Sequence, residues 1–570
     1  MRVLRDYRGA PACGETAEKG ENAVGDIRFD YDAVVIGAGF SGLGMLYRLR
    51  EQMGLKVRVF ERGDDVGGTW YWNRYPGARC DSESYIYCFS FSEELLQDWN
   101  WSGKYPEQPE ILRYLQHVAD RFDLRRDIQF ETSVTAAHWD AGNRCWRVTT
   151  DDGVTATAQY LISGIGCIST GNIPDIPGLD SFEGQWHHTG AWPHEGVDFA
   201  GKRVAVIGTG SSGVQSIPVI AEQAEHLTVF QRTAQYTIPA RHGTVDRKFL
   251  EEQVKPNYAA ILEKAKWSAG GIDVDFTDRL AFEVSDQERE AIYEAGWQTG
   301  GHRFIFGSFR DITMDLKSNH TASEFIRDKI RATVQDPEMV EKLVPLDHPL
   351  GSKRALIDTH YFETYNRENV DLVCLKQDPI ESITAKGVKT LADEREFDVI
   401  VFATGFDAMT GSFFRMDIRG EKGQALKSVW SEGPKTYLGL QINQFPNFFM
   451  ITGPGSPSVL SNMPVSIEQH IEYIGDLIAH MRDRGAETVD VDAAAQANWV
   501  QHVNDVASKT LYMQANSWYL GANIPGKPRV FMPYAGGVGP YRQHCNEIAE
   551  AGYTGFVFDG DHDEARLASG

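Results

Sequence analysis

Short runs of apolar, often β-branched residues recur along the chain, and two of them have the same surroundings. Tyr31–Ile36 (YDAVVI) and Arg203–Ile207 (RVAVI) are each followed at once by a glycine-rich turn. After each turn, in Gly44–Arg50 and Val214–Ile220, apolar residues return at helical spacing. This order predicts two buried parallel strands, each leading through a tight turn into a helix.

Further apolar runs complete the two units. Lys56–Phe60 and Leu227–Phe230 follow the two predicted helices and supply the second strands. We interpret Leu161–Thr170, which two glycines interrupt, and Phe397–Phe406 as the strands where the chain leaves one unit and returns to it. The pattern predicts an α/β fold with two Rossmann-like dinucleotide-binding domains.

A long segment between these units has a different pattern. Residues 243–340 carry no nucleotide-binding signature and place charged and apolar residues at helical spacing, as in Ser285–Gly296. We expect a mainly helical insertion there. The sequence does not reveal the function of this segment.

The first glycine-rich turn has the spacing of a dinucleotide fingerprint. Gly37, Gly39 and Gly42 lie between a predicted strand and helix, where free N–H groups at the helix start favour a pyrophosphate. Glu61 follows 19 residues after Gly42, at the end of the second strand. A carboxylate there accepts hydrogen bonds from ribose hydroxyls and repels a 2′-phosphate, so this site suits FAD or NAD rather than NADP.

The segment 67–81, GGTWYWNRYPGARCD, combines glycines, aromatic residues, two arginines and an acid within fifteen residues. The glycines allow backbone amides to approach a ligand, and the indole rings can enclose a flat ring system. Asp81 is costly in such apolar surroundings unless a cation or a ligand donor meets it. An aromatic core with a salt bridge is the alternative interpretation.

The second glycine-rich turn is Gly208-Thr209-Gly210-Ser211-Ser212-Gly213. The residues after the second strand of this unit differ from those of the first unit. Arg232 and Thr233 stand where the first unit has its glutamate. A fixed cation and a hydroxyl favour a 2′-phosphate, so this site should hold NADPH. Together the two sites imply a bound flavin that a pyridine nucleotide reduces.

These assignments predict a division of the chain in which both domains are discontinuous. The expected parts are a flexible lead-in (1–29), the FAD-binding domain (30–160 and 398–558), the NADP-binding domain (161–240 and 346–397), the helical insertion (241–345) and an acidic tail (559–570).

Composition excludes several classes of protein. A chain of 570 residues is too long for one core, and its net charge of -24 repels nucleic acids and anionic membrane surfaces. The seven scattered cysteines favour a reducing compartment, and no apolar run is long enough to span a membrane. We therefore expect a cytoplasmic protein. The sequence carries no signal for oligomeric state, for which a monomer is favoured.

The stretch Phe182–Pro193, FEGQWHHTGAWP, gives the most specific signature. Its spacing FxGxxxHxxxWP and the GGTWYWNRYPGARCD segment resemble those of the type I Baeyer–Villiger monooxygenases, which are class B flavin monooxygenases. The resemblance runs from about residue 30 to residue 558. It is closest to the phenylacetone and steroid monooxygenase branch, through GPGSPSVLSNM (453–463) and SWYLGANIPGKPR (517–529).

The resemblance implies an enzyme that uses FAD, NADPH and O2 to convert ketones to esters or lactones through a flavin C4a-peroxide. It makes Arg354 the catalytic cation and Asp81 the acid that positions it. It assigns Lys353 to the NADP 2′-phosphate and Trp518 to the nicotinamide side. The residues expected to line FAD are Glu61, Thr69, Trp70, Tyr71, Trp72, Asp81, Tyr87, Val134 and Met463. Bulky aryl, cyclic or steroid-like ketones are the expected substrates.

Two other functions stay open at this point. One is an N- or S-oxygenating flavin monooxygenase, and the other is an NADPH-sensing or structural flavoprotein without productive oxygenation. The pairing of Arg354 with Asp81 argues against the second.

Several histidines and one cysteine are assigned lesser roles. We interpret Phe182, Gly184, His188 and Trp192 as a joint that couples domain movement to the flavin site, with static packing as the alternative. Cys167 either shapes the pocket or packs, and for His360 a structural role, or one in supporting the site residues, is favoured over catalysis. We expect surface or capping positions for His348, His470 and His544, and no metal site.

Overall fold

The computed structural model describes residues 29–559. Within this part, two separate sheets hold most of the strands, and each has the predicted strand–turn–helix unit at its centre. Tyr31–Ile36 pairs in parallel with Val57–Phe60 on one side and with Thr155–Ser163 on the other. The eight strands of this first sheet are Asp417–Arg419, Val134–Asp140, Cys145–Thr150, Thr155–Ser163, Tyr31–Ile36, Val57–Phe60 and Ile128–Gln129 in spatial order, with Phe448–Met450 beside Thr155–Ser163.

Helices cover the first sheet because their apolar faces need a buried partner. Phe40–Tyr47 follows the glycine-rich turn and packs against Met463–Arg484, the longest helix of the described chain. The other helices assigned to this unit by sequence position are Thr69–Trp72, Glu93–Asp98, Gln108–Arg121, Leu426–Val429, Ala493–Ser508 and Val538–Glu550.

The second sheet contains five parallel strands. Arg203–Ile207 lies at its centre, paired with His226–Gln231 and with Val399–Phe402. The full order is Val370–Cys374, His226–Gln231, Arg203–Ile207, Val399–Phe402 and Gln185–His188. The helix after its glycine-rich turn is Ser211–Gln223, and Tyr361–Thr364 packs against it.

The chain crosses between the sheets at slightly different places than the sequence indicates. Thr155–Ser163 is one continuous strand of the first sheet, so the crossing begins at Gly164 rather than at residue 161. Val399–Phe402 belongs to the second sheet, so residues 398–402 continue that unit instead of opening the next part of the first. Both differences arise because a strand's sheet is set by distant partners that local sequence does not specify.

The predicted insertion is helical throughout its regular parts. Within residues 241–345, the α-helices are Arg247–Phe249, Tyr258–Trp267, Asp286–Thr299, Arg303–Ser308, Leu316–Thr333 and Pro337–Leu343. Apolar residues of the insertion, such as Phe304 and Phe325, share a buried cluster with Val204 and Ile217 of the second unit. The first part of the insertion, including Tyr258 and Leu262, shares a buried cluster with the first unit instead, so the insertion packs against both units.

Three small sheets complete the described structure. They are formed by Thr237–Pro239 with Leu356–Asp358, by Ile380–Ile383, Gly387–Thr390 and Glu394–Glu396, and by Val489–Val491 with Phe556–Phe558. The expected lead-in and acidic tail lie outside the described residues, except for Phe29 and Asp559. Among the helices of residues 29–559, none has both the length and the apolarity to cross a bilayer.

Candidate active site

A cavity of about 1560 Å³ is lined from both sheets. Both glycine-rich turns open onto it, and so do the segment 67–81, the cations Lys353 and Arg354, and Trp518. A space of this size and lining can hold two elongated ligands together with a substrate.

Arg354 and Asp81 form an ion pair at this cavity. Nε and Nη2 of Arg354 lie 2.8 and 2.6 Å from Oδ2 of Asp81, and Nη1 donates to the carbonyl of Val459 at 2.7 Å. Burial alone would raise the pKa of Asp81, but the Arg354 guanidinium outweighs it and holds that pKa below its ordinary value. Burial opposes the charge of Arg354 as well, and Asp81 raises the Arg354 pKa above the usual arginine range. Both groups are therefore charged at neutral pH.

The first glycine-rich turn is too tight for side chains. Gly37 has a φ of 96°, and a Cβ added there would lie 2.8 Å from the carbonyl oxygen of Gly164. A Cβ on Gly42 would lie 1.7 Å from the oxygen of Gly37. Gly39 packs backbone to backbone against Gly68, which brings the segment 67–81 onto the turn. Gly42 does not line the cavity, so its role is this packing.

Glu61 lies beside the first turn, as its position at the end of the strand predicts. Its two carboxylate oxygens accept the N–H groups of Ala38 at 2.7 Å and Gly63 at 2.8 Å. Burial raises the pKa of Glu61, and these two hydrogen bonds counteract part of that rise. The carboxylate is held at the cavity wall, where it can accept further hydrogen bonds from hydroxyl groups.

The other residues expected around FAD fall into two groups. Tyr71 does not line the cavity, because its hydroxyl donates to Asp64 at 2.6 Å and its ring packs against His194. Tyr71 therefore supports the segment 67–81 from the side that faces away from the cavity. Those that do line the cavity are Thr69, Trp70, Trp72, Asp81, Tyr87, Val134 and Met463.

In the second glycine-rich turn, one glycine is required by packing within the protein and another leaves room for a ligand. A Cβ on Gly213 would lie 2.3 Å from the carbonyl oxygen of Gly208, and Gly213 does not line the cavity. Gly210 does line it, and no protein atom lies within 4 Å of where its Cβ would stand. The protein itself therefore does not require glycine at position 210, whereas a closely bound phosphate does. Gly208, Thr209, Ser211 and Ser212 also line the cavity.

Two cations at the second site have no carboxylate of their own. Arg232 and Lys353 both line the cavity, and neither forms a salt bridge with any described residue. Burial lowers the pKa of Lys353; Asp347 opposes this effect and Arg232 adds to it. Thr233 is positioned by Thr209, whose hydroxyl donates to its carbonyl at 3.0 Å. This group is suited to an anion such as a phosphate.

Trp518 lines the cavity, and its neighbour Tyr519 is a site residue that the sequence did not indicate. Tyr519 is buried, its ring lies 4.4 Å from that of Trp518, and it lies close enough to Arg354 for the guanidinium to affect its pKa. Burial raises the pKa of Tyr519, while Arg354 counteracts that rise. No spacing rule connects these positions, because 165 residues separate them in the chain.

Gln215 is a second residue that the sequence analysis missed. It lies on the helix after the second turn, yet its amide oxygen accepts from the Tyr75 hydroxyl at 2.8 Å. Its amide nitrogen donates to the carbonyl of Arg79 at 3.1 Å. This side chain joins the segment 67–81 to the second unit.

The FxGxxxHxxxWP signature lies away from the cavity. Phe182, Gly184, His188 and Trp192 do not line it. Nδ1 of His188 accepts the N–H of Gly190 at 3.0 Å, so Nε2 carries the proton and donates to the carbonyl of Gly405 at 3.1 Å. Burial lowers the His188 pKa, and the ring is a neutral link between the ends of two strands.

The remaining cysteine and histidines differ in how well they match expectation. Cys167 lines the cavity, with its sulfur 3.0 Å from the hydroxyl of Ser458, and burial raises its pKa. His360 does not line it, consistent with a structural role. His348 and His470 are buried, so the expectation of surface positions is wrong for both. Nδ1 of His470 accepts the N–H of Thr452 at 2.8 Å, and its hydrogen bonds allow it to be buried.

Comparison with known proteins agrees with this geometry. Residues 31–244 match the family model described as flavin-binding monooxygenase-like. A Baeyer–Villiger monooxygenase of Pseudooceanicola batsensis is 46% identical over 93% of this chain and 96% of its own length. A phenazine N-monooxygenase of Lysobacter antibioticus is 44% identical over 93% of this chain and 97% of its own. The solved structure of an oxidized steroid monooxygenase bound to NADP has a TM-score of 0.88 and 52% identity, covering 93% of this chain and 99% of that one.

Proposed function

Since this chain belongs to the type I Baeyer–Villiger monooxygenase family, we propose that it uses FAD, NADPH and O2 to convert ketones to esters or lactones. The observation that carries the proposal is the charged Arg354–Asp81 pair, which lies at a cavity that both glycine-rich turns share.

FAD fits the first unit. The tight turn at Gly37–Gly42 brings helix N–H groups to a pyrophosphate, and Glu61 accepts the hydroxyls of the adenosine ribose. The aromatic residues Trp70, Trp72 and Tyr87 enclose the rest of the cofactor. When bound and reduced by NADPH, FAD would supply the electrons that activate O2, and one oxygen atom of that O2 would be transferred to the ketone.

NADPH fits the second unit. The bare backbone at Gly210 would receive the pyrophosphate, and Arg232, Thr233 and Lys353, which all line the cavity, would bind the 2′-phosphate. Neither cation forms a salt bridge with a described residue, so both would be available to a 2′-phosphate and would select NADPH over NADH. Trp518 closes the nicotinamide side of the cavity.

Arg354 is the catalytic residue of the proposal. Insertion of oxygen beside a carbonyl develops negative charge on the carbonyl oxygen, and a fixed cation stabilises it. Removing one such donor from an enzyme site typically costs about 2.7–4 kcal/mol of transition-state stabilisation. A guanidinium does this without giving up a proton, and Asp81 fixes its direction through two contacts on one oxygen.

His188 has a mechanical role in the proposal rather than a proton-transfer role. Its ring joins the strand Gln185–His188 to Gly405, which follows the strand Val399–Phe402. The next residue, Thr189, donates to the Ser212 hydroxyl at 3.2 Å, at the start of the helix on the NADPH side. These contacts lie in the second unit and at the segment that leads back to the first, and the proposal is that a movement of the second unit is passed on along that segment.

The substrate is proposed to be a bulky ketone, whether aryl, cyclic or steroid-like. Support comes from the solved steroid monooxygenase at 52% identity and from the loop 453–463. Val459, Ser461 and Met463 of that loop line the cavity beside Cys167. These side chains are modest in size, which leaves room for a large ring system near Arg354.

A panel of ketones assayed with product analysis tests this function. The expected result is ester or lactone formed in proportion to the NADPH consumed. If no ketone gives an ester and NADPH oxidation yields only hydrogen peroxide, the proposal fails.

N- or S-oxygenation is the second candidate, because one relative is named a phenazine N-monooxygenase. The same assay with phenazine and with an aryl sulfide discriminates the two. Faster N-oxide or sulfoxide formation than ester formation, with every ketone tried, would favour the second candidate.

We further propose a cytoplasmic monomer. The six cysteines within the described residues are free thiols, which suits a reducing compartment. Gel filtration of the FAD-loaded protein tests the oligomeric state.

A further inference from the structure

We propose that the helical insertion holds Asp81 and Arg354 in register, with Arg303 and Asn319 as its positioning residues. The inference rests on the proposed function only in naming Arg354 the catalytic cation. It assigns a role to residues 241–345, whose sequence indicates none.

Arg303 fixes the loop that carries Asp81. It is the first residue of the helix Arg303–Ser308, and its Nε and Nη2 donate to the two carboxylate oxygens of Glu83 at 3.1 and 3.0 Å. Nη2 also donates to the carbonyl of Asp273, another residue of the insertion, at 3.1 Å. Glu83 lies two residues after Asp81, so this two-pronged pair anchors the loop directly beside the catalytic ion pair.

The Arg303–Glu83 pair is shielded enough from solvent to hold the loop that carries Asp81 in one position. The side chain of Glu83 is 12% exposed and that of Arg303 is 31% exposed. The hydroxyl of Tyr85 also donates to Glu83, and the ammonium of Lys104 lies 3.9 Å from it. Burial opposes the charge of Glu83, yet Arg303 holds its pKa below the ordinary value, so the pair is ionised at neutral pH.

Asn319 fixes the segment that carries Arg354. This buried residue of the helix Leu316–Thr333 bonds both backbone groups of Leu350: its Nδ2 donates to the carbonyl at 2.8 Å, and its Oδ1 accepts the N–H at 3.0 Å. Its remaining bonds go to Ile312 and Ser323 inside the insertion. Leu350 precedes Arg354 by four residues, and Gly351 between them has a φ of 77°.

The two anchors meet near His302. This residue directly precedes Arg303; burial lowers the pKa of its ring, and the nearby backbone of Ala355, the residue after Arg354, counteracts part of that fall. Asp81 and Arg354 are both close enough to influence its charge electrostatically. The start of the helix Arg303–Ser308 therefore lies close to both chain segments that carry the catalytic pair.

The insertion thus supplies a frame that the two sheets do not provide. Asp81 follows the first unit's glycine-rich segment, whereas Arg354 belongs to the second unit. Gln215 already links the segment 67–81 to the second unit, and the insertion adds further links beside the catalytic pair itself. Arg303 and Asn319 attach both to one helical body.

The test compares Arg303→Met with Lys329→Met in the FAD-loaded protein. Lys329 is a matched control, because its ammonium pairs with Glu294 at 2.6 Å entirely within the insertion. Hydrogen–deuterium exchange of peptides covering 80–88 and 349–356 is the first readout, and it needs no oxygenation. We expect faster exchange in both peptides for Arg303→Met and none of this change for Lys329→Met.

Product formed per NADPH is the second readout. Displacement of a catalytic group by about 1 Å can cost up to a hundredfold in rate, so we expect a roughly tenfold loss of ester yield for Arg303→Met. NADPH should still reduce the flavin, with the difference appearing as hydrogen peroxide. Arg303→Lys, which keeps the charge, should recover part of the yield.

Glu83→Gln provides an independent variant if Arg303→Met does not fold. The double variant should lose no more than the worse single one, since both remove the same pair. Unchanged exchange and unchanged yield in a folded Arg303→Met or Glu83→Gln protein would overturn the inference. A wild-type protein that forms no ester defeats the proposed function instead, and leaves the exchange result to decide the positioning role.

Discussion

Arg354 and Asp81 lie 273 residues apart in the chain, yet Nε and Nη2 of the arginine both contact a single carboxylate oxygen of the aspartate. The geometry orients the plane of the guanidinium and leaves the second carboxylate oxygen out of this pair. One residue comes from each of the two units, so the pair reports whether those units are correctly docked.

The first prediction separates catalysis from cofactor binding. Arg354→Ala should still bind FAD and still be reduced by NADPH, because Glu61, Arg232 and the glycine-rich turns are untouched. It should form no ester, since the cation proposed to stabilise negative charge on the carbonyl oxygen is removed. Anaerobic stopped-flow absorbance measures flavin reduction, and product analysis measures the ester. Wild-type ester formation by this variant would remove Arg354 from its catalytic role.

The second prediction concerns the choice of pyridine nucleotide. Arg232→Ala should raise the Michaelis constant for NADPH by roughly ten- to a hundredfold, because losing a charged phosphate contact costs about 1.5–3 kcal/mol. The constant for NADH, which has no 2′-phosphate, should change little. The control is Lys389→Met, which breaks an exposed salt bridge with Glu381 more than 150 residues after Arg232 in the sequence. An equal rise for both nucleotides would contradict the assignment.

The third prediction uses two neighbouring glycines. Gly210→Ala meets no protein atom and has a φ of -77°, so its folding stability should be unchanged or slightly higher. Its affinity for NADPH should fall by roughly tenfold, about 1.4 kcal/mol, because the methyl group occupies ligand space. Gly213→Ala should instead lower the melting temperature, since its Cβ would meet the oxygen of Gly208. Unaltered NADPH binding to the Gly210 variant would place the pyrophosphate elsewhere.

The fourth prediction concerns the pH dependence of stability. The pKa of Asp81 is lowered in the folded protein, so its pairing stabilises the fold fully above the unfolded-state pKa of about 3.9. That contribution disappears as the pH falls through the lowered value. Asp81→Asn leaves Arg354 without its partner and should cost about 3 kcal/mol at neutral pH. Urea unfolding of both proteins from neutral to acidic pH should show the difference shrinking on the acidic side only.

The fifth prediction concerns the joint at His188. His188→Ala should lower the yield of product per NADPH while FAD stays bound, because the link to Gly405 is lost. His188→Asn keeps one donor and should be less affected. The ratio of hydrogen peroxide to product is the measurement. An unchanged ratio would reduce the signature to packing.

The sequence predicted well those features that depend on near neighbours. Tyr31–Ile36 and Arg203–Ile207 are strands with the predicted limits, because a β-branched run followed by a glycine-rich turn restricts the backbone locally. The difference between Glu61 and Arg232 was also readable, since each follows its strand by a fixed spacing.

Features that depend on residues far apart in the sequence could not be predicted from it. Val399–Phe402 was assigned to the wrong unit because an apolar run does not state which sheet it enters. His470 was expected at the surface, yet bonds to Thr452 and Tyr541 satisfy its nitrogens in the interior. The proximity of Tyr519 to Arg354 and the contacts of Arg303 with Glu83 likewise depend on loops that meet only after folding.

The order in which the chain supplies the second sheet has a consequence for synthesis on the ribosome. Gln185–His188 pairs with Val399–Phe402 and with no other strand of that sheet. The ribosome must therefore add more than 200 residues before the partner strand in that sheet is available. Nascent chains shorter than this expose an unpaired parallel edge, a hazard for aggregation. Premature termination within the helical insertion should therefore yield material that binds chaperones rather than a folded fragment.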